Sequence, residues 1–292
     1  MSIDPLIPLL EETTGRTLND CRLSPLGGGD INSAYHLQST EVSWFIKVNR
    51  PTLAFMFEAE AQGLNELAKL KSIRVPTVIT YGQSEQYSFL VLEHIELGGL
   101  RSDSAALLGE QLAALHKHRQ AFFGWHCDNT IGSTAQHNER HKDWVEFWRA
   151  QRLLKQLQFA ADNGHAGKLL SQGEKLAEKL DVFFETYQPQ PALLHGDLWG
   201  GNAAADRQGR PVIYDPACYY GDREADIAMT ELFGGFGADF YRAYQESYPL
   251  DSGYKTRKIL YNLYHILNHL NLFGSAYRHQ AETMIEQLLA ET

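Results

Sequence analysis

Leu194-His195-Gly196-Asp197-Leu198-Trp199-Gly200-Gly201-Asn202 holds the most informative spacing in the chain. Asp197 precedes Asn202 by five positions, and Asn202 precedes Asp215 by thirteen. The pattern H-x-D-x-x-x-x-N, followed by a second Asp, is that of a phosphoryl-transfer loop. In such a loop the first Asp orients an attacking hydroxyl and accepts its proton. The Asn and the later Asp hold Mg²⁺ against the phosphates of ATP. Between Asn202 and Asp215 the chain reads as a short hairpin. A small apolar run is followed by a turn at Asp206-Arg207-Gln208-Gly209 and then by Pro211-Val212-Ile213-Tyr214. A hairpin of that length returns beside its start, so Asp215 is expected to meet Asn202 at one metal.

Upstream, strands are expected at Cys21–Pro25, Ala34–Gln38 and Val42–Val48, after a helix over Asp4–Thr14 with Asp4 as its cap and Pro5 at its first position. Between the first two strands lies Leu26-Gly27-Gly28-Gly29-Asp30. Glycines there let backbone amides approach a phosphate, with Gly28 and Gly29 the candidates. Lys47 sits in an otherwise apolar strand, Trp44-Phe45-Ile46-Lys47-Val48, and needs a partner. The helix expected over Phe55–Lys71 offers Glu60, flanked by Ala59 and Ala61, with Glu58 as the alternative. In a kinase small lobe a strand Lys touches the α- and β-phosphates and pairs with such a Glu. Val75–Tyr81 and Ser88–Glu93 complete the strands, and Glu93-His94-Ile95 falls where a hinge would take the adenine edge through backbone groups. The features therefore stand in kinase order.

The 292 residues are 43% hydrophobic and 21% charged, an ordinary globular composition with room for two lobes. A formal net charge of −10 argues against nucleic acid or an anionic membrane as main partner. Cys21, Cys127 and Cys218 are far apart and odd in number, so neither a disulfide framework nor a zinc ribbon is indicated. The first residues carry no basic signal region, and a reducing cytoplasm is the expected home. From Ser102 onward helical patterns dominate: 104–119, 143–163, 171–187, 226–233, 239–248, 254–273 and 276–290. The expected class is α+β, a protein-kinase-like two-lobed fold. A small antiparallel sheet lobe spans 1–97, and a larger, mainly helical lobe spans 98–292.

His195-Gly196-Asp197-Leu198-Trp199-Gly200-Gly201-Asn202, Asp215-Pro216-Ala217-Cys218-Tyr219-Tyr220-Gly221-Asp222-Arg223-Glu224, Phe123-Gly124-Trp125 with Asp128-Asn129-Thr130-Ile131-Gly132, and Leu263-Tyr264-His265 with Asn268-His269-Leu270-Asn271 carry a family likeness. On these residues the chain resembles the fructosamine/ketosamine kinases, a branch of the small-molecule kinases that includes aminoglycoside phosphotransferases. The likeness spans nearly the whole chain. It implies ATP- and Mg²⁺-dependent phosphorylation of the third hydroxyl of a ketose attached to an amine, free or on a glycated protein lysine. Asp30 stands where some relatives carry a Cys, so redox control through that loop is not carried over. Gly196 replaces the Arg of H-R-D, and nine positions from Asp215 to Glu224 are too few for an activation segment. Both points fit a small-molecule kinase rather than a protein kinase.

By spacing and resemblance, Asp197 is the expected base, Asn202 and Asp215 the Mg²⁺ ligands, and Lys47 held by Glu60 the phosphate contact. Trp199 is either an aromatic platform for the sugar or a core residue bracing the loop. His195 and Asp226 are expected to brace that loop. His265 and His269, four apart on a helix, lack an evident third metal ligand and are expected to pack or, for His269, to line the substrate site. Trp144, Phe147 and Trp148 are expected in the core, with walling of the sugar pocket as the lesser alternative. A kinase for another small hydroxyl compound (an aminoglycoside, choline or another sugar) and a nucleotide-binding pseudokinase are the rival readings.

Overall fold

The computed structural model describes residues 6–27 and 31–292. Asp4 and Pro5, expected to open the first helix, and Gly28, Gly29 and Asp30 of the glycine loop lie outside the described residues. Helix α1 (Leu6–Thr14) precedes strands β1 (Arg22–Leu26), β2 (Ser33–Gln38) and β3 (Ser43–Asn49). Helix α2 (Ala54–Leu70) follows, then β4 (Val78–Gln83) and β5 (Ser88–Glu93). The five strands form one antiparallel sheet in the order β1-β2-β3-β5-β4. Side chains alternate across β3, as the pleat requires. Trp44, Ile46 and Val48 pack with Leu6 and Leu10 of α1, whereas Phe45 packs against the core that holds α2. Lys47 shares the parity of Phe45 and therefore points to the α2 side. On α2, Phe57, Glu60, Ala61, Leu64 and Leu67 follow helical spacing, and the four apolar members are buried. Glu60 rides on that stripe; Glu58 lies off it and is exposed.

A two-residue strand, β6 (Leu97–Gly98), leads into the helical lobe. There α3 (Ser102–Leu115) is followed by a hairpin of β7 (Asn129–Ile131) and β8 (Thr134–Gln136). Next come α4 (Trp144–Trp148), a π-helical turn (Arg149–Leu153), α5 (Leu154–Asp162) and α6 (Lys168–Glu178). The catalytic segment runs through β9 (Ala192–Leu194), β10 (Ala203–Asp206), β11 (Pro211–Ile213) and β12 (Tyr219–Gly221). Helices α7 (Arg223–Leu232), α8 (Ala238–Ser247), α9 (Tyr254–Phe273) and α10 (Arg278–Ala290) complete the lobe. α3 packs on α8 at Gly109, where a Cβ would stand 2.4 Å from the Phe240 carbonyl oxygen.

Three expectations change. The helix expected over 143–163 is interrupted by the π turn, which carries the fully buried Arg152 inward. The helix expected over 171–187 starts earlier and tightens into a 3₁₀ segment at Leu180–Phe184. The helix expected at 226–233 starts at Arg223, because Asp222 caps it by accepting from the Glu224 N–H at 3.1 Å. Trp144, Phe147 and Trp148 are core residues at 2%, 0% and 1% exposure, as expected, and none of them lines the cleft described below. No helix among the described residues is long and apolar enough to cross a membrane.

Candidate active site

Strands β10 and β11 pair with Ala203 opposite Ile213 and Ala204 opposite Val212. That register places Asn202 opposite Tyr214, whose N–H donates to the Asn202 carbonyl at 3.1 Å. Asp215 is the next residue, turned inward by a left-handed backbone (φ 57). The turn is made as the residues demand: Asp206 Oδ1 accepts from the N–H groups of Gln208 and Arg210, each at 2.9 Å.

The loop before it is held from beneath by α7. Asp226 accepts from the His195 N–H at 2.7 Å and from the Gly196 N–H at 2.8 Å. His116 lies 3.2 Å from the same carboxylate and 2.8 Å from the Tyr244 hydroxyl. Burial pushes the His116 pKa down, so the neutral ring donates to Asp226 and accepts from Tyr244. His195 Nδ1 accepts from the Asp197 N–H at 3.2 Å, and so Nε2 carries the proton that goes to the Tyr214 carbonyl at 2.9 Å. The ring is a strut between the two catalytic segments. Gly196 is required twice over. Its φ is +83, and a Cβ would stand 2.1 Å from the Ala217 carbonyl oxygen. An Arg at this position is sterically impossible, which gives a physical cause for the missing Arg of H-R-D.

Asp197 is held by Asn202, whose Nδ2 donates to its carbonyl at 2.9 Å and to its Oδ2 at 3.1 Å. Burial, and then the nearby charges of Asp215 and Asp226, outweigh the Asn202 bond and push the carboxyl up to about 7. That is the range in which a carboxylate is an effective base at neutral pH.

Lys47 Nζ donates to Glu60 at 2.8 and 3.1 Å and also to Asp215 Oδ1. Glu58 takes no part; it accepts from Gln62 at 3.3 Å. Burial works to lower the Lys47 pKa, but Asp215 and Glu60 outweigh it and hold the ammonium charged. Burial and the Asp215 charge push Glu60 up to about 7 although Lys47 opposes them. Asp215 moves the other way, because Lys47 overcomes its burial. This end of the site thus crowds Glu60, Asp215 and Asp197 around one ammonium.

A cavity of about 1010 Å³ joins these groups to the hinge and to the helical lobe. Glu93, His94 and Ile95 line it. The Glu93 carboxylate itself faces away, bonded to Arg74 at 2.6 Å and to the Thr77 hydroxyl at 3.1 Å. Arg74 also reaches Asp206 at 2.5 Å, tying the hinge strand to the catalytic hairpin. His94 stacks on His36 with centroids 3.8 Å apart.

The family model for fructosamine kinase matches residues 4–291. The chain belongs to the fructosamine kinase family. A protein named "Probable ketoamine kinase" from Synechocystis is 46% identical over 281 residues, covering 96% of this chain and 94% of that protein. "Protein-ribulosamine 3-kinase, chloroplastic" from Arabidopsis thaliana is 42% identical over 292 residues, covering 99% and 89%. A candidate fructosamine-3-kinase from Thermobifida fusca has a solved structure with a TM-score of 0.88 at 31% identity, covering 99% of this chain and 100% of that one. The ADP-bound aminoglycoside phosphotransferase APH(2'')-Ib shares the fold, with a TM-score of 0.64 at 15% identity and coverage of 100% and 98%. The α+β, two-lobed kinase-like architecture is therefore that of the fructosamine kinase family and of a wider set of small-molecule kinases.

The far end of the cavity is aromatic. Trp199 is 38% exposed and meets Phe233 edge-on at 6.1 Å. Phe233 lies 4.9 Å from His269, which in turn lies 5.4 Å from Phe273 and 5.2 Å from Tyr277. Trp199 is thus a cleft residue rather than a core brace. His269 Nδ1 lies 2.8 Å from the His265 carbonyl oxygen, a bond within the helix. Among the described residues no group of three or more His, Cys, Asp or Glu surrounds these histidines as a metal site. Phe233, Phe273 and Tyr277 were not singled out from the sequence. They are ordinary helix-end aromatics there, and only their exposure beside the cleft marks them.

Proposed function

We propose that this chain is an ATP-dependent ketosamine 3-kinase. It transfers the γ-phosphoryl group of ATP to the third hydroxyl of a ketosamine such as a fructosamine or ribulosamine, free or on a glycated lysine. The observation that carries the reading is Asp197: a partly buried, Asn202-held carboxylate placed between the Lys47–Glu60–Asp215 cluster and the aromatic wall of one cleft. Membership of the fructosamine kinase family and the names of its ketoamine and ribulosamine relatives support the substrate class.

Asp197 orients the sugar hydroxyl and takes its proton as the oxygen attacks the γ-phosphorus and the bond to the ADP oxygen breaks. Lys47, steadied by Glu60, contacts the α- and β-phosphates. Gly28 and Gly29, outside the described residues, are the candidates to meet them through backbone amides. The adenine edge is taken by backbone groups of Glu93 and Ile95, with His94 between them. The donor set fits Mg²⁺. Asn202 spends its Nδ2 on Asp197, no other hydrogen bond among the described residues occupies its Oδ1, and Asp215 adds a carboxylate to a cluster with more acid than base. Asn202 and Asp215 would hold the ion, which supplies charge neutralisation on the phosphates when bound. Trp199 and His269 contact the sugar.

We take the lobe boundary at 97/98, a reading supported by the short strand there, which pairs with β10 and not with the five-stranded sheet. Three free thiols, Cys21, Cys127 and Cys218, fit a reducing cytoplasm. ADP release in the presence of Mg²⁺, measured against fructose-lysine, ribulose-lysine, choline and an aminoglycoside, tests the reading. Turnover on the ketosamines supports it. Turnover restricted to choline or the aminoglycoside would overturn the substrate, and ATP binding without any turnover would leave a pseudokinase.

A further inference from the structure

At a ketosamine site, the sugar hydroxyl must face Asp197, and the amine nitrogen carries a substituent away from it. The side chains that meet that substituent are not assigned by the reaction itself. The carboxylates lining the cleft are all engaged elsewhere among the described residues. Glu60 and Asp215 hold Lys47, Glu93 holds Arg74, and Asp197 is the base. Beyond Asp197 the cleft presents the rings of Trp199, Phe233, His269, Phe273 and Tyr277, with Met229, Asn268 and Leu272 beside them. Burial pushes the His269 pKa down, so its ring is neutral and adds no competing cation. The wall is open rather than capped, with Phe273 54% and Phe233 37% exposed.

We infer that the outer rings of this wall, Phe233, Phe273 and Tyr277, beyond the Trp199 and His269 that meet the sugar, are the subsite for the nitrogen substituent of the ketosamine, and that they select a single cationic nitrogen bearing an apolar chain or ring. The inference rests on the ketosamine reading above. A protonated secondary amine next to neutral π faces is stabilised without a carboxylate. Its methylene or aromatic substituent covers rings that otherwise face water. A polyamine gains much less, because its further charges meet no carboxylate on this wall. The lysine stem of a glycated protein fits the same description: four methylenes leading to the reacting nitrogen, with the exposed side of the wall leaving room for the attached chain.

The test compares ketosamines of one sugar that differ only in the nitrogen substituent: methyl, hexyl and benzyl. In the wild type, kcat/KM is expected to rise about tenfold from methyl to hexyl or benzyl, the worth of one partly covered ring. In Phe273→Ala the benzyl-to-methyl ratio is expected to collapse to about twofold. A variant that merely folds poorly lowers both substrates together and leaves the ratio near tenfold, which overturns the assignment. A flat series in the wild type overturns it as well. Turnover on no ketosamine would remove the parent reading and this one with it, whereas turnover with a flat series would leave the parent reading standing.

Discussion

The two ends of the cleft are built on opposite principles. At the phosphate end, Lys47 and Asn202 are buried, Glu60, Asp215 and Asp197 are partly buried, and these charged or polar groups are bonded to one another. At the far end, Trp199, Phe233, His269, Phe273 and Tyr277 meet only through ring contacts, and three of them are exposed by more than a third. The first end is preorganised: its dipoles and charges stand where a phosphoryl group would need them, so little reorganisation is left for the reaction. The second can shift to fit its ligand, since ring contacts tolerate displacement better than bidentate hydrogen bonds do. Substitutions at the first end should therefore change the chemistry for every acceptor, and those at the second only the choice of acceptor.

The largest effect is expected at Asp197. Asp197→Asn keeps the size of the side chain but not the base, and turnover is expected to drop on the order of 10³-fold for all ketosamines. ATP affinity, measured by calorimetry, is expected to hold within about twofold. Lys47→Met comes next. It leaves Glu60 and Asp215 without their cation, and kcat/KM for ATP is expected to fall on the order of 10²-fold whatever the acceptor. Steady-state kinetics with two acceptors check that uniformity.

Trp199→Ala probes the other end. KM for a ketosamine is expected to rise about tenfold while KM for ATP moves less than about twofold. A comparable change in both constants would mean that the two ends are not separable. The smallest effect is expected away from the chemistry, at Asp206. Burial pushes its carboxyl up, but the Arg210 N–H, the guanidinium groups of Arg210 and Arg74, and the Gln208 N–H hold it at about 2. An unfolded Asp ionises near 3.9. The folded pKa is depressed, so the stabilisation is complete above that value and is lost as pH falls toward 2. Asp206→Asn should therefore flatten the acid limb of a denaturation profile between those limits and leave the neutral region less stable than wild type.

The phosphate end was legible in the sequence because each of its parts is local. H-G-D and Asn202 share one loop, and the register of a short hairpin carries Asp215 back to it. Strand parity and a helical stripe bring Lys47 to Glu60 and leave Glu58 in solvent. The aromatic end was legible only at Trp199 and His269. Phe233 caps the C-terminus of α7, Phe273 ends α9, and Tyr277 follows a Gly274 turn before α10, so their meeting depends on how three helices pack. A buried polar network beneath the β7–β8 hairpin was likewise invisible. Gln136 donates to Asn129 at 2.8 Å, Asn138 donates to Asn129 at 2.9 Å, and Arg152 reaches the His137 carbonyl at 2.5 Å and Asn138 Oδ1 at 2.8 Å. Arg152 enters that network only because a π-helical turn rotates it inward, and it then lies 4.1 Å over the Tyr219 ring. No periodicity announces a π turn. Gly196 was read as the absence of an Arg, and the structure supplies the cause in the close pass of the Ala217 carbonyl.

The most direct measurement is ADP formation from MgATP with ribulose-lysine and fructose-lysine, run in parallel on the wild type and on Asp197→Asn. Turnover in the wild type with near-complete loss in the variant, at unchanged ATP affinity, is the expected result. Equal turnover in the two proteins would contradict the role of Asp197. Turnover by neither, with ATP still bound, would contradict the assignment of ketosamine phosphorylation itself.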